Sequence, residues 1–248
     1  MITLTILYDN QRGDPRLKNA WGFACLVETS GTQLLFDTGG DAPTLLNNAA
    51  LLEKDLTAVD QIVLSHYHGD HTGGLQGLLA TGVSPTVYML ASFSPSMRRA
   101  AAEQTAVVEV TGPQEIVPGI WTTGEVSGPV AEQALIVETT EGWVLITGCA
   151  HPGVERMTER ALEITGGPIR LVLGGFHLGS AGPVKIQDTI AALEACHVAA
   201  VAPTHCTGDR ARAAFAEAYG EAFHAAGAGT SWAFEQPPHP GRPKLEPE

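Results

Sequence analysis

The stretch IVLSHYHGDHTGG, residues 62–74, packs His66, His68, Asp70 and His71 into six positions directly behind an apolar run. A short apolar run closed by turn residues reads as a buried strand, so the chain carries four titratable side chains to the mouth of its own core. Such crowding is costly unless the groups bind something that offsets it. Cations do this. His66 and His68, alternate residues on extended backbone, can point to one side and share one ion, while Asp70 and His71 reach a second ion nearby. Imidazole and carboxylate are ordinary ligands for zinc and also suit iron or manganese. Gly69, Gly73 and Gly74 let the backbone turn tightly around the ions. A polar surface loop would leave both the spacing and the apolar run unexplained, so the motif implies one or two divalent transition metal ions, zinc before the others.

Four ligands in one loop rarely complete a site, and the rest of the chain shows where partners can come from. ITLTILY alternates like a strand with Ile2, Leu4 and Ile6 on one side, and FACLVET with TQLLFDTG predicts a hairpin turning at Ser30-Gly31. A helix is expected from about Pro43, capped by Asp41, with Leu45, Leu46, Ala49 and Leu52 as its buried stripe. TGGLQGLLA reads as a short helix and TVYMLAS as a strand. The second half repeats the plan: the hairpin QALIVETTEGWVLITGCA, the helix VERMTERALEI and the strand IRLVLGGFHL. The helix KIQDTIAALEACH, the strand VAAVAPTHC, the helix DRARAAFAEAYGEAF and the closing strand TSWAFE follow. Gly39 precedes His66 by 27 residues, and Gly148 precedes His177 by 29. Paired hairpins alternating with helices in both halves favour an α/β four-layer sandwich, αββα, over a simple doubly wound sheet. If the similarity between the halves is real, both sets of loops emerge at one edge of two facing sheets.

Composition narrows the function classes. The chain has 248 residues, 44% of them hydrophobic, enough for one sizeable core. The expected organisation is a single domain over 1–235 followed by a loose Pro-rich tail, 236–248. A formal net charge of −13 disfavours nucleic acid as a partner. No run of eighteen apolar residues suggests a membrane span. MITLTILYDN lacks the basic start of a signal peptide, and four cysteines without a CxxC pair suit free thiols, so a cytoplasmic location is expected.

SHYHGDHTGG together with LLFDTGG resembles the main motif of the metallo-β-lactamase superfamily, and the likeness runs over nearly the whole chain. GFACLVETSGTQLLFDTG, ITGCAHPG, GGFHL and APTHCTG further resemble a dihydropterin-methyl-ribofuranosylaminobenzene-phosphate synthase-like subfamily of these metallohydrolases. The resemblance implies the αββα fold and ligands at one sheet edge. It points to His205, where the superfamily keeps a histidine of the second ion, and to His151 as a third ligand for the first ion. Asp37 in FDTGG reads either as a carboxylate that orients a ligand histidine or as a turn-capping Asp.

The chain also departs from the superfamily pattern. Most members carry a histidine before the QALIV strand, where this chain has TTGEVSG with Glu125. Where an ion-bridging aspartate is usual, it has Cys149. Thiolate binds zinc well, so Cys149 is either a ligand or a small buried residue with His151 replacing the missing histidine. For His177, a metal ligand, a proton donor and a supporting histidine all stay open. Cys25, Cys196 and Cys206 read as core residues. Arg12, Arg16 and Lys18 either receive a substrate anion or form a solvated loop.

The resulting expectation is a metal-dependent hydrolase that turns a metal-bound hydroxide on an ester, lactone, amide or phosphodiester. Asp70 would bind the second ion and orient the nucleophile, and His177 would protonate the leaving group. Its partner would be a small molecule, anionic or neutral. The subfamily name implies an alternative, a synthase-like transfer involving a pterin and a ribosyl phosphate. A non-catalytic metal- or ligand-binding protein is the third possibility.

Overall fold

Strand β2 (Phe23–Glu28) alternates cleanly: Phe23, Cys25 and Val27 face one apolar layer, while Ala24 and Leu26 face another. A strand buried on both faces needs a layer above and a layer below, and the computed structural model, which describes residues 1–238, supplies both. The middle layer lies between two sheets. There Ile2, Leu4 and Ile6 meet Leu135, Val137, Val144, Ile146, Leu171 and Leu173. One outer layer packs Leu45, Ala49, Leu75 and Leu78 onto the first sheet, and the other packs Met157, Ala161, Ile186, Ile190 and Phe215 onto the second. The order is helix, sheet, sheet, helix, the αββα sandwich expected from the sequence. Every such fully buried aliphatic or aromatic side chain is worth about 1.5–3 kcal/mol, and these layers offset the polar groups buried at the sheet edge.

The first sheet has β1 (Ile2–Asp9), β2, β3 (Gln33–Phe36), β4 (Gln61–Val63), β5 (Thr86–Leu90), β6 (Val107–Val110) and β13 (Ser231–Phe234), in the order β13-β1-β2-β3-β4-β5-β6. The second has β7 (Gln114–Val117), β8 (Ile120–Thr122), β9 (Leu135–Thr139), β10 (Gly142–Thr147), β11 (Ile169–Gly175) and β12 (Val201–Thr204), in the order β12-β11-β10-β9-β8-β7. The hairpin β2-β3 leads through α1 (Ala42–Leu51) to β4, parallel to β3. In the second half β9-β10 leads through α5 (Val154–Thr165) to β11, parallel to β10, and through α6 (Pro183–Ala195) to β12. The similarity between the halves is therefore topological. The C-terminal ends of β3 and β4 in one sheet and β10, β11 and β12 in the other give rise to the loops that carry the candidate ligands.

Asp41 caps α1 as expected, accepting the Thr44 N–H at 2.7 Å, with Pro43 in the first turn. Several elements differ from the sequence reading. The strand before the histidine motif is only three residues long, and Asp70 and His71 sit in a single helical turn, α2 (Gly69–Thr72), followed by α3 (Leu75–Leu79). Region 95–122, left largely undivided by the pattern, forms α4 (Pro95–Ala102) and three strands. The last long helix, α7 (Asp209–Tyr219), stops at Gly220, whose φ of 54° ends the regular helical path. Most of the tail 236–248 lies outside the described residues. No helix among the described residues is long and apolar enough to cross a membrane.

Candidate metal centre

The candidate ligands meet where the two sheets end together. Gly148 makes this approach possible: a Cβ there would stand 2.2 Å from Ser65 Oγ and 2.9 Å from Asp37 Oδ2. Among the described residues, six non-glycine residues have positive φ, and four of them, Asp37, Ala150, His177 and His205, follow strand ends at this edge. Each such backbone costs about 1–3 kcal/mol, so the surrounding packing must hold it.

Hydrogen bonding fixes the histidines from behind. Asp37, fully buried, accepts from the Ser65 N–H at 2.7 Å, the Ser65 hydroxyl at 2.7 Å and His71 Nδ1 at 2.7 Å. With its proton given to Asp37, Ser65 Oγ accepts from His66 Nδ1 at 2.9 Å. His151 Nδ1 donates to Glu132 Oε2 at 3.0 Å, and His205 Nδ1 donates to Asn10 Oδ1 at 2.8 Å. This donor network places the Nδ1–H on His66, His71, His151 and His205, so that whenever the ring is neutral its Nε2 is a lone pair. His68 is turned the other way, with its Nδ1 3.1 Å from His66 Nε2.

Those free atoms converge in two groups. In one, donor atoms of His66, Cys149 and His151 lie within 4.8 Å of one another, with His68 Nδ1 beside His66. In the other, Asp70, His71, Cys149 and His205 do the same. Asp70 Oδ2 is 3.6 Å from His71 Nε2 and 3.4 Å from His205 Nε2, and Cys149 Sγ is 3.2 Å from His71 Nε2. His205 Nε2 is buried and makes no hydrogen bond. An orphaned imidazole nitrogen facing a carboxylate, with a thiol and a second imidazole in the same group, and two more ring nitrogens within 3.1 Å of each other fit divalent ions that accept from all of them. Burial, reinforced by His71, lowers His66 to about 3, and burial, reinforced by His205, does the same to His71. Both are neutral near pH 7, the form that ligates.

The structure answers the choice between Cys149 and His151 by bringing both to the cluster, with Cys149 common to the two groups. Glu125 is exposed and stands outside both groups, whereas the acid around which the Cys149–His151 turn folds is Glu132. Fully buried, Glu132 accepts the N–H groups of Cys149 (2.8 Å), Ala150 (2.9 Å) and His151 (3.0 Å) as well as the His151 ring. Burial alone would raise its carboxyl; the His151 hydrogen bond, the nearby His66 and the backbone donors outweigh this and hold it at about 2. Sequence reasoning missed Glu132 and Asn10. The available signal was an acid immediately before an apolar strand, in EQALIV, and an amide immediately after one, in LYDN.

His177 is exposed, and its ring lies 4.2 Å from that of His151 at the open side of the cluster. A hydrogen bond with Cys206 raises it, against the effect of burial. Cys25 lies in the core as expected, and Cys196 is half-buried. Cys206 is buried but not merely packing, because its Sγ joins Cys149 and His177 within 4.8 Å and donates to the Cys149 carbonyl at 3.6 Å. Arg16 is committed to Asp14 at 2.6 Å and Arg12 to Asn19 at 3.4 Å, as in a solvated loop.

This edge of two sheets, with its HxHxDH loop, has clear relatives. A family model described as the metallo-beta-lactamase superfamily matches residues 22–184, and the chain belongs to that superfamily. It is 30% identical over 255 residues, 84% of this chain and 87% of the relative, to a Methanocaldococcus jannaschii protein named 7,8-dihydropterin-6-methyl-4-(beta-D-ribofuranosyl)-aminobenzene-5'-phosphate synthase. A crystal structure described as a metal-dependent hydrolase of the beta-lactamase superfamily matches with a TM-score of 0.81 and 25% identity, over 95% of this chain and 100% of that one. Zn(2+)-bound PqqB from Methylobacterium extorquens shares the fold, with a TM-score of 0.63 and 18% identity over 94% of this chain and 100% of its own.

Proposed function

We propose that this chain is a metal-dependent hydrolase of small molecules, holding two divalent ions, zinc by preference, at the sheet edge. The observation that supports this most is the convergence of unprotonated ring nitrogens, Asp70 and Cys149, each histidine but His68 fixed from behind by its own acceptor. His66, His68 and His151 would hold one ion, Asp70, His71 and His205 the other, and Cys149 both. Sulfur and imidazole together favour zinc over the harder ions. When bound, such ions acidify a water and polarise the electrophilic oxygen of an ester, lactone, amide or phosphodiester.

The chain's own residues do the rest. Asp70, half-buried in the group with His71 and His205, would orient the attacking water. Its carboxyl stays ionised, because His205 and His71 outweigh burial and lower it. His177 holds its ring proton longer than an ordinary histidine and stands beside His151, placed to give that proton to the leaving group. The four free thiols suit a reducing cytoplasm.

A second reading is a synthase-like transfer on a pterin and ribosyl phosphate with the same ligands, favoured by the identity to the M. jannaschii synthase over most of both chains. Elemental analysis of the purified protein tests the metal reading: two zinc ions per chain are expected, and loss of the ion held by His66 and His151 in His68→Ala. A folded wild-type chain that takes up no transition metal overturns it. A panel of phosphodiesters, lactones, thioesters and lactams then separates hydrolysis from transfer, since turnover of none of them favours the transfer reading.

A further inference from the structure

Among the described residues, five large hydrophobic side chains are exposed: Met1, Trp21, Leu51, Tyr67 and Val184. Single exposed apolar residues are normal, but two of these are placed with a pattern. Trp21, 60% exposed, has its ring centroid 4.9 Å from that of His205, in the group with Asp70 and His71. Tyr67, 46% exposed, has its ring 4.9 Å from that of His68, beside His66 in the other group. One aromatic ring therefore leans on a histidine of each group and leaves much of its surface to solvent.

The backbone that carries the ring at position 21 is held in place. Gly22 follows it with φ of 145°, and a Cβ there would stand 2.4 Å from the Asp70 carbonyl oxygen, so the loop between β1 and β2 lies directly on the ligand loop. Of the basic residues in this loop, Arg16 pairs with Asp14 and Arg12 reaches Asn19, while Lys18 is exposed. A rigid, half-wet aromatic rim recognises flat conjugated surface, which gains contact area there at little entropic cost.

We infer that Trp21 and Tyr67 are specificity-determining residues that stack a planar aromatic or heteroaromatic ring of the substrate, delivering its reacting group to the ions. This rests on the metal reading above and names the class of substrate for that site. The test is equilibrium binding to the zinc-loaded protein of two probes with one carboxylate each: pterin-6-carboxylate, which is flat, and cyclohexanecarboxylate, which is not. The wild-type chain is expected to prefer the flat acid by roughly tenfold, as for stacking on one aromatic side chain. Trp21→Ala and Tyr67→Ala should each reduce that preference several-fold with zinc content unchanged, and Trp21→Phe should retain most of it. A zinc-loaded wild type without preference for the flat acid, or alanine variants that keep it in full, overturns the stacking inference and leaves the metal reading standing. A wild type that takes up no zinc overturns both.

Discussion

Each half of the molecule buries one carboxylate beneath its ligand loop. Asp37 follows β3 and supports the histidine motif; Glu132 precedes β9 and supports the Gly148–His151 turn. Both are fully buried, yet burial raises Asp37 to about 8 while Glu132 is held at about 2. The donors decide the difference. Glu132 receives three backbone N–H groups and an imidazole, whereas Asp37 receives one backbone N–H, one hydroxyl and one imidazole. Glu132 thus stays an anion down to about pH 2, and the charge on Asp37 would depend on the proposed ions close to His66 and His71.

The largest expected effect of breaking this contrast is on the Glu132 side. Glu132→Ala leaves three buried N–H groups and the His151 ring without their acceptor, and a loss of about 3–5 kcal/mol in urea-unfolding stability is expected. The turn should loosen and the ion bound by His66 and His151 should be lost with it. Were the variant as stable as wild type, Glu132 would not be what holds that turn.

Acid and base should separate the two acids next. In ion-stripped protein, His66 and His71 at about 3 leave the folded state with fewer protons than the unfolded chain below the ordinary 6.5 of histidine. Asp37 at about 8 and Asp9 at about 6 act in the opposite sense above the ordinary 3.8 of aspartate. These nearly cancel between about pH 4.5 and 6.5. Below that window the aspartate difference fades, while His66, His71, Glu132 and Asp70 all favour the unfolded chain's protonation, so stability falls steeply. Above it, Asp37, His177 and His205 hold protons that the unfolded chain has released, which lowers stability as pH rises; Cys206, whose thiol is lowered against burial by its hydrogen bonds with Cys149 and His177, opposes part of this decline. Urea midpoints from pH 3 to 9 check this: Asp37→Asn should weaken the alkaline decline and, because Asp37 also offsets a histidine below pH 6.5, make stability rise with pH between about pH 4.5 and 6.5.

Asp37→Asn also tests the other half of the contrast. It keeps an acceptor for Ser65 but loses the charge that holds His71, so ion affinity should drop about 10–100-fold in a competition titration, with little change in fold. The smallest effect belongs to Glu125→Ala. An exposed side chain outside the cluster should shift stability by less than about 0.5 kcal/mol and leave the ion content intact.

The fold was legible because apolar alternation in β1, β2 and β3, repeated in the second half, reports burial directly. The first ligand loop was legible because His66, His68, Asp70 and His71 are neighbours in the chain, and local spacing carries their geometry. Glu132 and Asn10 were not. Glu132 acts on residues 17 to 19 positions away, and Asn10 acts on one 195 positions away, so their place beside an apolar strand marks them locally but does not say what they hold.

By itself, then, the amino-acid order determined two half-sandwiches and a cluster of four donors at the end of a strand. Only the tertiary structure decided that Cys149 stands in both donor groups and that His151 and His205 join it. Only there does Glu132, rather than Glu125, hold the second turn. The physical reason is that a local pattern specifies which face of an element is apolar, whereas a shared ligand position exists only once two sheets have packed and their strand ends meet.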